Sequence, residues 1–353
     1  MTNAHHLYIH VPFCQAKCNY CAFFSRACRT PDWDAYADGI CAEIRTWRGR
    51  LGPISVPTVF FGGGTPSLMP VGIFDRIMTA IRAAFDIPPD TEVTLESNPG
   101  TLDAARLNDF ITAGVNRLSI GVQSFNDDEL RFLGRIHTAD AARQLIDAAH
   151  NAGIRVSGDF IYGLPGHNGQ TVENLCREIN QMGLTHCSLY ELTIEPNTPF
   201  GKMNLTMPDN DTMADMYTAI GHTLQIPRYE VSNYAPPGNE CRHNAGVWAG
   251  MPYIGLGTGA AGRPYINGVW HDQTGGPDGQ CVPMDNATRA VEKIITGMRT
   301  IRGVDLTDDV RAALNMNAVP HMTDDVRITP DNRMVATERG LLILDNLLIN
   351  LIA

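Results

Sequence analysis

Residues 7–24 read LYIHVPFCQAKCNYCAFF. A short apolar run leads straight into Cys14, Cys18 and Cys21, in a C-x3-C-x2-C spacing. Three thiolates crowded onto one loop can grip one compact, soft, metal-rich centre and leave it one protein ligand short of four. An open coordination position marks a centre that does chemistry, as opposed to a closed structural site. Structural zinc wants four ligands, usually as two separated pairs, and the nearest further candidates, His10 and Cys28, stand at awkward spacing. The chain has 9 cysteines, an odd number, and no signal segment is read before them. A disulfide framework is therefore not expected, and the compartment reads as reducing.

Composition narrows the field. A chain of 353 residues has room for one large domain and a smaller one. Its 44% hydrophobic content suits a globular protein with a substantial core. The net charge of −11 argues against a nucleic-acid surface, which needs basic stripes. No apolar run reaches membrane-spanning length; the most apolar stretch, 341–352, is broken by Asp345, Asn346 and Asn350.

Along the chain, strand and helix patterns alternate. Strands are expected at 7–11, 57–61, 92–96, 117–123, 154–161 and 185–192, and helices at 32–47, 73–85, 102–113, 127–133, 139–152, 171–182 and 210–225. Such alternation means a parallel sheet with crossover helices, either a closed or partial barrel or an open doubly wound sheet. In these folds the chemistry sits at the C-terminal ends of the strands. The cysteines follow the first strand, Gly62-Gly63-Gly64-Thr65-Pro66 ends the second, Glu96 the third and Gln123 the fourth, and Asp159 lies near the end of the fifth. Taken alone, Glu96 or Asp159 reads equally well as a cap or turn residue; five coincidences favour function.

Alternation within strands assigns faces. Tyr8 and His10, Thr94 and Glu96, and Ser119, Gly121 and Gln123 are assigned to the interior; Leu7, Ile9 and Val11 and their counterparts face the helices. From about residue 228 the pattern changes. Residues 230–353 read as a smaller α+β domain with helices at 286–298, 307–314 and 340–352, a hairpin at 327–336, winged-helix character at its end and a surface loop over 266–283.

These motifs carry a resemblance. The cysteine spacing is that of the radical S-adenosylmethionine (SAM) superfamily. YIHVPFCQAKCNYC, FFGGGTPS, LESNPG, SIGVQSF, DFIYGLPG and CRHNAGVW make the chain similar to the oxygen-independent coproporphyrinogen III oxidase group, and within it to the HemW branch of heme chaperones. The resemblance selects the fold: a partial (β/α)6 radical SAM barrel over 1–229, with the smaller α+β domain over 230–353. It implies that Cys14, Cys18 and Cys21 ligate three irons of a [4Fe–4S] cluster, with SAM on the fourth. It implies that Tyr20 lies against SAM with Tyr8 nearby, and that Gly63, Gly64 and Thr65 meet the SAM amino group, glycine allowing close backbone approach. Glu96 would bind the ribose hydroxyls or the amino group, Gln123 and Asp159 complete the pocket, and Arg135 suits the SAM carboxylate through its planar fork. Phe160 and Leu164 read as packing. The implied chemistry is reductive cleavage of SAM to methionine and a 5′-deoxyadenosyl radical, with the protein supplying orientation and exclusion.

The resemblance also separates two functions. The catalytic oxidases of porphyrin biosynthesis carry a further cysteine two residues after the third ligand, where this chain has Phe23, and an N-terminal extension that this chain is expected to lack. His243-Asn244-x-x-x-Trp248 looks like the branch's HN-x-x-Y-W heme-associated motif, which makes His243 a candidate axial ligand and Trp248 a candidate flank for the porphyrin. Val247 and Ala261 depart from the branch, which has tyrosine and histidine there, as does the 263–285 stretch. An isolated His-Asn reads as a satisfied buried histidine, and Cys241 as a second heme ligand or, in preference, a buried small residue. The resemblance therefore implies a cytoplasmic cluster- and SAM-binding protein without oxidase activity. Such a protein binds heme and passes it to an acceptor, a membrane respiratory heme protein. The alternative is the oxidase itself.

Overall fold

Six parallel strands form the centre of the molecule: β1 (His6–Val11), β2 (Thr58–Gly63), β3 (Glu92–Ser97), β4 (Arg117–Gln123), β5 (Arg155–Tyr162) and β6 (His186–Glu191). The computed structural model describes residues 4–276 and 278–352. Two short strands extend the sheet at its edges. β7 (Asn233–Tyr234) pairs antiparallel with β6, and β8 (Tyr253–Leu256) pairs parallel with β1. The order is β8-β1-β2-β3-β4-β5-β6-β7, a path with two free ends, so the barrel is partial.

The crossover helices are α1 (Trp33–Leu51), α2 (Val71–Ala84), α3 (Ala104–Thr112), α4 (Asp127–Phe132), α5 (Ala139–Asn151), α6 (Gly169–Gln181) and α7 (Asn210–Thr223). Their starts are set locally. The side chains of Asp32, Asp103, Asn126, Thr138, Asn168 and Asp209 each accept a hydrogen bond from a first-turn N–H, satisfying donors that the helix itself leaves open.

Strand alternation divides the sheet as expected. Leu7, Ile9, Val11, Val59, Phe61, Leu95, Leu118, Ile120 and Val122 are fully buried, and with Ile40, Phe74, Ile77, Phe110 and Ile146 of the helices they form one continuous core. The opposite faces of the strands are polar. At the N-terminal ends stand His6, Thr58, Glu92, Arg117 and His186; midway stand Tyr8, Phe60, Thr94, Ser119, Ser157 and Ser188; at the C-terminal ends stand His10, Gly62, Glu96 and Asp159. Buried polar groups persist only where they find partners, so this interior is a hydrogen-bonded network and not a second apolar core.

Beyond the sheet the chain differs in two places from its sequence reading. The 266–283 stretch is not a surface loop. Tyr265–Ile266, Val269–Thr274 and Cys281–Pro283 pair as antiparallel strands. The buried Gln273 ties this unit to β8, its Oε1 accepting from Gly255 N at 2.9 Å and its Nε2 donating to Gly255 O at 2.6 Å. Nor is 340–352 one helix: Glu338–Leu342 and Leu344–Leu351 are separated at Ile343, whose ψ of 25° breaks the helical run. The 326–336 hairpin forms, Val326–Ile328 with Arg333–Ala336. A second hydrophobic cluster, from Ile294 to Leu351, holds these last elements together.

Candidate functional site

The thiol loop is pinned at its base and at its tip. Phe13–Cys14 pairs with Arg26–Ala27, and Cys28 N donates to Cys14 O at 2.9 Å. At the tip Asn19 N donates to Leu133 O at 3.0 Å, and Phe200 N donates to Asn19 O at 2.9 Å. Lys17 Nζ closes the turn on Phe23 O and Ser25 Oγ, at 2.7 and 2.8 Å. Cys14 is buried, while Cys18 and Cys21 are half-buried. Burial pushes the Cys14 thiol up; Ser25 and Thr65 pull it back, and Cys21 and Cys18 are near enough to raise it.

Among the described residues, no three His, Cys, Asp or Glu side chains are grouped to hold a single metal ion. A polynuclear cluster bound through one thiolate per iron does not need that convergence. The donor set fits such a cluster: three thiols on the loop, with Cys28 at its base packed against the core, and a cation beside them. Arg135 Nη1 donates to Cys18 Sγ at 3.3 Å, while its Nη2 donates to Asn98 Oδ1 at 2.5 Å and to Gly121 O at 2.6 Å. The guanidinium is thus fixed by two oxygens and aimed at the sulfur. Cys18, Thr65, Asn98, Arg135 and His137 line a cleft at this point. Tyr20 lies deep beside Cys18, Cys21 and Arg135, and burial pushes its phenol well above the ordinary value.

The glycine turn behaves differently from its reading. The N–H groups of Gly63, Gly64 and Thr65 are all taken within the protein, by Glu96 Oε2 at 3.0 Å, Val11 O at 2.7 Å and Phe13 O at 2.8 Å. A Cβ on Gly63 would stand 2.6 Å from the His10 ring, and one on Gly64 would stand 2.6 Å from Phe13 O. Glycine is required there first by the protein's own packing, with the Gly63 φ of 111° adding to the demand. Thr65 Oγ1 accepts from Asn98 Nδ2 at 2.9 Å, linking the turn to Arg135.

Deeper in the mouth, Tyr8 OH meets His10 Nδ1 at 2.9 Å, and His10 Nε2 meets Phe24 O at 2.7 Å. Because Phe24 O can only accept, the His10 proton sits on Nε2 and Tyr8 donates to Nδ1. Asp159 accepts from Ser119, Ser157 and Ser188, at 2.8, 3.0 and 2.8 Å. Gln123 ends β4 at a bulge with φ of 66°, a strained backbone position of the kind that collects at sites. Its Nε2, Arg135 Nη2 and Asn98 Oδ1 converge on the gap left by Gly121. The structure thus gathers Cys14, Cys18, Cys21, Tyr20, Thr65 and Arg135 at the rim, with Tyr8, Gly63, Glu96 and Asp159 below. His10 and Ser119, assigned to the interior from strand alternation, join them, as do Asn98, Ser157 and Ser188, which were not singled out; the Asn-Pro-Gly step at the end of β3 was the available signal for Asn98. Phe160 and Leu164 are packing residues, both buried.

Glu96 lies deep in the mouth and borders open space. Burial first, then the charge of Asp159, pushes its carboxyl up to about 7, against the pull of the Gly63 N–H. The folded chain then holds a proton that the unfolded chain releases at about 4.5, so this group's contribution to stability is present below 4.5 and is lost as pH rises to about 7. Chemical unfolding across that window is expected to show stability falling with pH, and Glu96→Gln to flatten that component. An unchanged profile in the variant would remove Glu96 as its source.

His243 lies elsewhere. It opens α8 (Arg242–Trp248), which closes the N-terminal end of the barrel, opposite the thiols. Its ring is 5% exposed, packs on Phe60 at 5.1 Å and shares Thr58 Oγ1 with His6, Nδ1 lying 2.8 Å from the hydroxyl. Burial, with help from His6 and Arg117, lowers its pKa to about 3, so it is a neutral, partnered core histidine. The residue expected as an axial heme ligand, His243, is thus a buried ring hydrogen-bonded to Thr58 Oγ1 in this structure. Cys241 is fully buried beside it. His243→Ala is expected to cost roughly 2–4 kcal/mol, from a cavity and an orphaned hydroxyl, while the iron content of the reconstituted protein stays unchanged. Loss of iron with intact stability would contradict the placement.

With this geometry in hand, the likenesses to known proteins are specific. Residues 8–179 match the Radical SAM superfamily model. The chain is 39% identical over 263 residues to the heme chaperone HemW of Escherichia coli K12, covering 73% of this chain and 69% of that protein. It is 35% identical over 327 residues to the heme chaperone HemW of Synechocystis, covering 84% and 78%. In fold, it matches the radical SAM enzyme coproporphyrinogen III oxidase (HemN) of Escherichia coli with a TM-score of 0.81, over 98% of this chain and 89% of that one, at 19% identity.

Proposed function

The chain belongs to the radical SAM superfamily and, within its HemN-like group, to the HemW family; from that premise we propose that it is a cluster- and SAM-binding heme chaperone, which binds heme and passes it to an acceptor, a membrane respiratory heme protein, in the cytoplasm. The observation that carries this reading is the 39% identity to a heme chaperone. Phe23 supports it: an exposed phenylalanine stands where the oxidases carry their further cysteine.

In this reading Cys14, Cys18 and Cys21 would hold the [4Fe–4S] cluster, whose chemistry when bound would be electron supply to SAM. Arg135 donates to Cys18 Sγ and offers its remaining donor capacity to the SAM carboxylate. Glu96 in its charged form attracts the amino group, and Asp159, steadied by three serine hydroxyls, presents a fixed charge below. Tyr20 and Tyr8 wall the pocket against water, with Gly63, Gly64, Thr65 and Gln123 completing it. No helix among the described residues is long and apolar enough to cross a membrane.

The test is paired. The anaerobically reconstituted chain is expected to bind hemin saturably and to release no CO2 from coproporphyrinogen III with SAM and reductant. Decarboxylation without saturable hemin binding would replace the chaperone by the oxidase.

A further inference from the structure

Asp159 stands at the mouth end of β5, and hydroxyl groups set its orientation, each with a single proton to give. Ser119 Oγ donates to its Oδ2 at 2.8 Å. At Oδ1 the supply is less secure. Ser188 Oγ lies 2.8 Å from Oδ1 and 2.7 Å from Asn233 Oδ1, so two acceptors compete for its proton. Ser157 Oγ lies 3.0 Å from Oδ1 and 2.8 Å from His186 Nδ1. Ser157 and His186 are register partners on β5 and β6, 0% and 2% exposed, so neither can turn to water. The ring therefore decides where the Ser157 proton goes. A bare Nδ1 would accept that proton and take it from Asp159. An Nδ1–H gives its own proton to Ser157 Oγ, and leaves the hydroxyl only the carboxylate to donate to.

The surroundings select the second state. Burial first, then the charges of Arg117 and Arg155, lower the His186 pKa well below the ordinary value, so the ring carries one proton. Its Nε2 meets Tyr229 OH at 2.9 Å. The backbone N–H of Cys241, just before α8, is directed at the Tyr229 oxygen, which leaves the phenol proton for Nε2. The hydrogen bonds then run one way: Tyr229 to His186, His186 to Ser157, Ser157 to Asp159. We propose that His186 is a positioning residue for the SAM pocket: its Nδ1–H commits the Ser157 hydroxyl to Asp159, and so holds that carboxylate in the orientation that a bound SAM meets. The inference rests on the cluster- and SAM-binding reading. It gives a task to a buried His–Tyr pair at the far end of the barrel from the thiols.

The experiment has two readouts. The first is nitrogen NMR of the full chain with isotope-labelled histidine, the His186 signal being identified by its loss in His186→Asn. The neutral ring is expected to carry its proton on Nδ1. In Asp159→Ala it should carry it on Nε2, because the freed Ser157 hydroxyl then donates to Nδ1. The second is SAM binding, by equilibrium dialysis of the anaerobically reconstituted chain without reductant. His186→Phe, which has no ring proton to give, should weaken SAM about fivefold, the size of one hydrogen bond. His186→Asn, whose amide can donate from the Nδ1 position, should bind as the parent does. In the Asp159→Ala background His186→Phe should cost nothing further. A ring protonated on Nε2 in the parent overturns the assignment, as does parent-like SAM binding in His186→Phe. An equal loss in His186→Phe with and without Asp159 also overturns it, since that marks a merely structural ring. The parent spectrum decides even if His186→Phe fails to fold. These failures leave SAM binding standing, whereas no SAM binding by the reconstituted parent overturns both.

Discussion

Replacing Cys14, Cys18 and Cys21 together by alanine is expected to take the chain from about four irons and four sulfides per molecule after anaerobic reconstitution to background, the loss of all three thiolate ligands of a [4Fe–4S] cluster. The fold should survive, because the loop is held by bonds that do not involve sulfur: the Phe13–Cys14 pairing with Arg26–Ala27, the Asn19 contacts with Leu133 and Phe200, and the Lys17 bridge. Cys28→Ala is the control. Its backbone N–H reaches Cys14 O, but its side chain lies outside the three-thiol spacing, so iron uptake should be retained. Arg135→Leu should give an intermediate result, since Cys18 Sγ loses its hydrogen-bond donor. Full iron uptake by the triple variant would show that the metal is held elsewhere.

The second large effect is on stability and comes from the far end of the barrel. Glu92 is 1% exposed. Its Oε1 accepts from His243 N at 3.0 Å, and its Oε2 accepts from Arg242 N at 3.1 Å and Arg155 Nη2 at 2.9 Å. One carboxylate thus caps α8, pairs with a strand arginine and sits beside the buried Arg117. Burial opposes the charge on Arg117, and the pull of Cys241 and Glu92 outweighs it. Glu92→Ala leaves two guanidinium groups and two backbone donors without their acceptor. Breaking a buried pair in this way costs about 3–5 kcal/mol, to be read from the denaturant midpoint of the full chain. Glu92→Gln should recover part of that, since an amide oxygen can still cap the helix but carries no charge. If both variants unfold at the parent's midpoint, α8 is not held by this carboxylate.

How much of this could be read beforehand depends on the range of the interaction. The six parallel strands were legible because their signal is local: Leu7, Ile9 and Val11 alternate with Tyr8 and His10, and Leu118, Ile120 and Val122 with Ser119 and Gly121, whatever lies far away. The rim of the site followed from the strand ends for the same reason. Three features were not local. β8 is only four residues long, and nothing in Tyr253–Leu256 announces that it will pair with β1. The meander over 265–283 looked like a loop because its turns are rich in glycine, whereas its inward residue, Gln273, is polar and finds its partner in β8. The burial of His243 was not legible either: its neighbours Thr58 and Glu92 lie far away in the chain. The glycines at 63 and 64 were read correctly as necessary, but their first reason is contact with His10 and Phe13.

The account turns on heme leaving this protein for another by direct contact. The most direct measurement is therefore a kinetic one: the full chain, loaded with hemin, is mixed with increasing amounts of an apo membrane respiratory heme protein, and the Soret shift of the acceptor is followed. A chaperone predicts a transfer rate that rises with acceptor concentration and exceeds the rate at which a heme scavenger strips the same complex. A rate that stays at the scavenger-limited value at every acceptor concentration would mean that heme simply dissociates, and would contradict the account.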